Sequence, residues 1–187
     1  MLKKFMRKYG YYLLAFALIL VVGFTVGLSG NEVPSAPVDD SQQTATAPIE
    51  MVSPLNSPEV LKWYSDTELF YNSTLKQWES HRGVDLTSSV SNDVMSVLDG
   101  TVVDCSYSYQ DGYCITIEHA EGLTTTYCSL KSNNLVKEGD KVTKGQKIGE
   151  ISASSANELA EGNHLHFQVK LNGKNVDPSN YLTFENK

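Results

Sequence analysis

Residues 163–171 read N-H-L-H-F-Q-V-K-L. Successive side chains on a β-strand point to opposite faces, so as a strand this run sets His164 and His166 side by side and turns Leu165, Phe167 and Val169 the other way. Asn172-Gly173 follows, a pair that favours a tight hairpin turn. The stretch therefore predicts a half-buried strand over 165–171 with two imidazoles on its polar side. Two metal ligands, one ligand beside an acid/base group, or two satisfied polar residues on a wet face all fit that spacing.

Working outward, short runs rich in β-branched residues recur at 94–98 (VMSVL), 101–107 (TVVDCSY), 113–118 (YCITIE) and 123–128 (LTTTYC), with turn signals at Asp99-Gly100 and Asp111-Gly112. In 133–151, NNLVKEGDKVTKGQKIGEI, Val136, Val142 and Ile148 recur every six residues, with Gly139, Gly145 and Gly149 at bends. That pattern predicts a short-stranded β-roll edge. Lipoyl and biotinyl carrier domains have similar turns, but they present a modifiable lysine on a hairpin tip, and no such tip is evident here. The fold class is mostly β, an antiparallel sheet with a β-roll.

The N-terminal end has a different composition. Lys3, Lys4, Arg7 and Lys8 precede residues 9–28, YGYYLLAFALILVVGFTVGL, an uncharged run long enough for one transmembrane helix. A cleaved signal peptide would have a shorter apolar part and a small-residue cleavage site. The expected order is a cytoplasmic tail (1–8), a transmembrane helix (9–28), a flexible Pro/Ser/Thr/Ala-rich linker (29–53) and a domain outside the cytoplasm (54–187). From residue 51 onward 11 Lys and Arg face 18 Asp and Glu, so this part carries the chain's whole formal charge of −7 and is ill-suited to nucleic acid.

Cys105, Cys114 and Cys128 allow at most one internal disulfide and lack the Cys-x-x-Cys spacing of a zinc knuckle. Buried free thiols are one reading. A Cys105–Cys114 bridge across a hairpin is another.

A second polar motif lies at 79–86, E-S-H-R-G-V-D-L. Gly83 argues against a regular helix and for a tight turn that brings His81 and Asp85 together. Alone, either H-x-H or H-x-x-x-D is more often a solvated polar pair than a metal site. Together they use three of the chain's four histidines. Two nitrogens and one oxygen with a fourth position left for water make the ligand pattern of a catalytic zinc site.

These motifs, in order with G-x-V, H-x-x-G-L-x-T-x-Y, V-x-x-G-D-x-V-x-x-G-Q-x-I-G and H-L-H-F-x-V…N-G-x-x-V-D-P, resemble the M23 (LytM or lysostaphin-type) peptidoglycan endopeptidases across roughly residues 70–182. The resemblance implies a LytM-type domain in which His81, Asp85 and His166 bind zinc. It gives His164 one half of a catalytic pair that stabilises the attacked carbonyl and steers water. The other half stands in a T-x-Y-A-H-L strand end, which here reads TTTYCSL, so Ser129 replaces the family's histidine. A hydroxyl cannot act as imidazole acid/base, and loss of one such group costs about 10²–10³ in rate. His119 matches a turn histidine outside the catalytic set, which implies a structural role.

With an anchor, a tether and that loss, the chain resembles the degenerate, sporulation-type members of the family. That resemblance implies a catalytically inactive domain in the forespore membrane, projecting into the space towards the mother cell and acting in engulfment. It implies docking on a stage III sporulation protein AH-like mother-cell membrane protein, with peptidoglycan as a second possible ligand. An active endopeptidase or an activator of another cell-wall hydrolase is the alternative.

Overall fold

The computed structural model describes residues 49–184. The tail, the expected transmembrane helix and the linker up to residue 48 lie outside the described residues. Among the described residues no helix is long and apolar enough to cross a membrane.

Among the described residues there are twelve strands and three short 3₁₀ turns; the strands are β1 (Glu59–Lys62), β2 (Ser65–Asn72), β3 (Gln77–His81), β4 (Val84–Thr87), β5 (Asp93–Met95), β6 (Gly100–Ser108), β7 (Gly112–Glu118), β8 (Leu123–Leu130), β9 (Lys141–Val142), β10 (Lys147–Glu150), β11 (Leu165–Leu171) and β12 (Lys174–Val176). The main sheet runs β1-β4-β11-β8-β7-β6-β9, with β12 also pairing with β11. β2–β3 and β5–β10 form two small antiparallel sheets.

The alternation read from the sequence explains the core. Leu165, Phe167 and Val169 of β11 are fully buried, as are Leu123 and Tyr127 of β8 and Ile115 and Ile117 of β7. Each such apolar side chain contributes about 1.5–3 kcal/mol over exposure. Val136, Val142 and Ile148 all turn into the same core. Gly139 and Gly145 adopt φ of 88° and 81°, which their bends require and side-chain-bearing residues rarely adopt. At the β11–β12 turn, Asn172 and Gly173 both have positive φ, 49° and 78°, the signature of a type I′ hairpin.

Two readings need adjustment. Residues 49–53, assigned by composition to the end of the linker, pack on the domain: Met51 is buried and its N–H donates to the Tyr181 carbonyl. The disulfide joins Cys114 to Cys128, while Cys105 is free. In the β6–β7 pairing Cys105 lies opposite Ile115 and Ser106 opposite Cys114. That single step of register turns the Cys105 side chain to the other face. Cys128, on the neighbouring β8, comes within 4.2 Å of Cys114 between Cα atoms.

Candidate metal centre

Strand register assembles the site. β11 pairs with β4 so that His166 lies directly opposite Asp85. On β4 the neighbours Val84 and Leu86 enter the core, so alternation sends Asp85 to the opposite face with His166. His81 ends β3, and the bend at Arg82-Gly83 returns the chain into β4. Gly83 passes so close to β11 that a Cβ would stand 2.7 Å from the Phe167 carbonyl oxygen and 2.9 Å from the His166 ring. The glycine is required by this close approach.

Three ligating atoms converge. Asp85 Oδ1 lies 2.7 Å from His166 Nδ1 and 3.2 Å from His81 Nε2, and the two ring nitrogens are 3.2 Å apart. His81 Nδ1–H donates to the Trp63 carbonyl at 2.9 Å, which turns the lone pair on Nε2 towards the cluster. The Gln168 side-chain amide lies 2.9 Å from His166 Nε2. Donating its N–H there, it fits a proton on His166 Nδ1; turned over, it accepts Nε2–H and frees Nδ1 for a cation.

The electrostatics follow from these contacts. Burial pushes the Asp85 carboxyl up, but hydrogen bonding to His166 and His81 outweighs it and holds the group far below the usual carboxylate range. Burial lowers His166, and the Asp85 carboxylate more than offsets this, so its pKa ends above the ordinary value. Asp85 Oδ2 is buried and lacks a hydrogen-bond partner; Lys62 Nζ is 3.2 Å away as an ion pair, outside hydrogen-bond alignment. Lone pairs from two imidazoles and a carboxylate within 3.2 Å, beside an orphaned buried oxygen, fit a divalent cation with nitrogen and oxygen preferences such as Zn²⁺.

A fourth group joins them that the sequence reading did not identify. Glu158 Oε1 lies 3.5 Å from His166 Nδ1 and 3.8 Å from His81 Nε2. One ligating atom from each of His81, Asp85, Glu158 and His166 lies within 4.8 Å of the others. No spacing motif marks Glu158. It reaches the site because the residues just before the 3₁₀ turn Leu159–Glu161 are held by hydrogen bonds from the Asn157 N–H to the Gln110 carbonyl and from the Asn72 amide to the Asn157 carbonyl.

His164 is fully buried on the same side. Its Nδ1 faces the Gly162 carbonyl at 2.9 Å and its Nε2 the Glu158 Oε2 at 3.2 Å. Ser129 is fully buried with φ of 59°, and its hydroxyl donates to the Ser152 carbonyl at 2.8 Å. His119 lies elsewhere: Nδ1–H donates to the Asp99 carbonyl, and Nε2 is 2.7 Å from the Thr125 hydroxyl.

The histidine cluster opens on a cleft of about 330 Å³ rimmed by Ser80, Arg82, Asp111 and Cys128. A hollow of about 1020 Å³ along residues 52–60 is larger, but no histidine or cysteine lines it, so the chemistry belongs to the smaller cleft.

Comparison with known proteins agrees with this geometry. The model of peptidase family M23 matches residues 79–178. Stage II sporulation protein Q of Bacillus subtilis is 37% identical over 114 residues, 60% of this chain. An uncharacterized metalloprotease of Buchnera aphidicola is 33% identical over 150 residues, 78% of this chain. The chain spans 38% of the length of each of these curated relatives. Among solved structures, the SpoIIQ–SpoIIIAH pore-forming complex is similar at TM-score 0.62 and 28% identity, over 73% of this chain and 92% of that one. A zinc-containing peptidase from Vibrio cholerae is similar at TM-score 0.53 and 28% identity, over 64% of this chain and 35% of that one. The domain is thus an antiparallel, LytM-like β fold, a degenerate form resembling SpoIIQ.

Proposed function

The chain belongs to peptidase family M23, and on that premise we propose that it is a zinc-binding but catalytically silent member, anchored in the forespore membrane with its domain outside the cytoplasm. There it serves sporulation as a docking component between forespore and mother cell, supporting engulfment. The observation that carries this reading is the contrast within one site: His81, Asp85 and His166 converge as a ligand set, while the position aligned with the family's second catalytic histidine is Ser129.

His81 Nε2, Asp85 Oδ1 and His166 Nδ1 would hold the metal. Zinc bound there supplies Lewis acidity, polarising an oxygen atom that shares its coordination. Trp63 fixes the His81 tautomer, and Lys62 balances the outer oxygen of Asp85. Ser129 cannot replace an imidazole donor: its hydroxyl is already given to the Ser152 carbonyl, and it is neutral at working pH.

The partner follows from the resemblance to SpoIIQ, which has been solved in complex with SpoIIIAH. We infer a SpoIIIAH-like protein of the mother-cell membrane as the docking partner. The exposed Tyr71 and Trp78, in edge contact at 5.5 Å on the β2–β3 hairpin, offer an apolar surface next to the cleft.

The test pairs binding with digestion. The full chain in mild detergent should capture a SpoIIIAH-like protein from sporulating cells and leave peptidoglycan uncut. Chelator-sensitive release of peptidoglycan fragments, abolished by His166→Ala, would overturn the silent reading and support a working endopeptidase.

A further inference from the structure

We propose that Glu158 is a fourth, anionic metal ligand and that His164 is the positioning residue that holds it, so the centre is a closed structural site with no place for an attacking water. The inference rests on the zinc reading above and goes beyond it. That reading leaves the fourth position open and attributes silence to Ser129 alone.

The distances carry the argument. Zinc bonds of 2.0–2.1 Å in a tetrahedron separate neighbouring ligand atoms by roughly 3.3 Å. Five of the edges among the four groups are resolved: 2.7, 3.2 and 3.2 Å within the His81–Asp85–His166 set, and 3.5 and 3.8 Å from Glu158 Oε1 to the two imidazoles. Glu158 Oε1 is thus about 0.2 and 0.5 Å beyond that separation from the two imidazoles, and the Glu158 and Asp85 ligating atoms lie within 4.8 Å of each other, on the side where a fourth ligand can close the set.

Its placement is built into the fold. The Ala156 and Asn157 N–H groups donate to the Tyr109 and Gln110 carbonyls, and the Ser155 hydroxyl donates to Gln110 as well. From the other side the buried Asn72 amide donates to the Asn157 carbonyl, and the Ala160 N–H donates to the Thr74 hydroxyl. The β2–β3 hairpin and the β6–β7 turn therefore clamp the segment carrying Glu158 from both sides.

His164 completes the arrangement. Its two ring nitrogens face two acceptors, the Gly162 carbonyl and the Glu158 carboxylate. From that position His164 orients Glu158 through Oε2 and leaves Oε1 turned to the centre. The charge also fits: two carboxylates neutralise a dication, whereas one carboxylate and a water leave it net positive and better able to acidify that water.

The test uses the full chain in mild detergent, loaded with Zn²⁺ for affinity and with Co²⁺ for visible spectra, with azide as a probe for an open coordination position. Glu158→Gln should weaken zinc by on the order of 100-fold, since even groups outside the ligand set cost 10–100-fold. Wild-type cobalt spectra should not respond to azide, and those of Glu158→Gln should. His164→Gln keeps the carboxylate and removes its imidazole partner; about 10-fold weaker zinc is expected, with a partial azide response. Equal far-UV circular dichroism of the metal-free forms checks folding. A wild type that binds zinc but responds to azide, with Glu158→Gln affinity within threefold, would overturn the fourth-ligand assignment and leave the metal reading standing. Absence of zinc from the wild type would overturn both.

Discussion

His119 and His166 are both sequestered imidazoles on one side or other of the same sheet, and their surroundings drive them in opposite directions. Around His119 the partners are neutral dipoles, the Asp99 carbonyl and the Thr125 hydroxyl, and Thr125 connects onward to the Tyr127 hydroxyl, which accepts the Val97 N–H. Burial dominates and pushes its pKa below the ordinary value. Around His166 the partners are carboxylates, which overcome burial and push its pKa up. Chain chemistry is identical in the two places. The count of nearby anions decides whether an imidazole is an uncharged cross-link or part of a nest for cations.

Metal removal should separate the two regions most strongly. With free zinc near 1,000 times Kd, binding to the folded state adds about 4 kcal/mol, so a chelator should lower the thermal midpoint by the corresponding amount. His81→Ala should be insensitive to the chelator. Equal midpoints with and without chelator in the wild type would erase the contrast.

Reduction comes next. The Cys114–Cys128 bridge has a sequence separation of 14, and Cys128 lies opposite His166 in the β11–β8 register. Cross-links of that loop size contribute about 3 kcal/mol. A Cys114→Ser, Cys128→Ser variant should lose that much in denaturant melts and bind zinc more weakly. A loss of stability with unchanged zinc affinity would separate the bridge from the metal region.

Thr125→Val breaks the neutral region alone. It leaves His119 Nε2 without its hydroxyl partner in a buried site, a cost of about 1–3 kcal/mol, while zinc affinity should be unchanged.

The smallest effect is on pH. A group whose folded pKa is depressed stabilises the protein above its unfolded pKa, near 6.5 for histidine, and that contribution is lost as pH falls through the folded pKa. The stability of the wild type relative to His119→Gln should therefore shrink as pH drops below about 6.5. A difference that is flat between pH 7.5 and 5 would show that His119 is not held neutral.

Much of this was legible in the sequence because its signals were local. Alternation in 123–128 and 165–171, the Asn172-Gly173 turn and the six-residue spacing of Val136, Val142 and Ile148 each specify a face or a bend by themselves. The union of H-x-x-x-D with H-x-H also survives as geometry: His81, Asp85 and His166 meet. Less legible were β1 to β3: E-V-L-K and Q-W-E-S-H do not alternate in hydropathy, and β2 is largely exposed and buries only Asn72 fully. The Cys114 partner depended on a single step of register. Glu158 depended on a loop folding back, which no periodicity encodes. The aligned position of Ser129 was readable, but the destination of its hydroxyl, the Ser152 carbonyl, was not.

The hydrogen bond from Met51 N–H to the Tyr181 carbonyl, with Trp63 in edge contact with Phe184 at 5.6 Å, has a topological meaning. Entry and exit of the folded domain share one corner, so the polypeptide is nearly a closed ring. Such a ring can be cut elsewhere. A circular permutant that joins the two ends through a short linker and opens between Asn172 and Gly173 would keep every strand of the main sheet in its present order of neighbours. The ends of the folded domain would then move to the β11–β12 hairpin, and anything joined to them would leave the domain at a different corner.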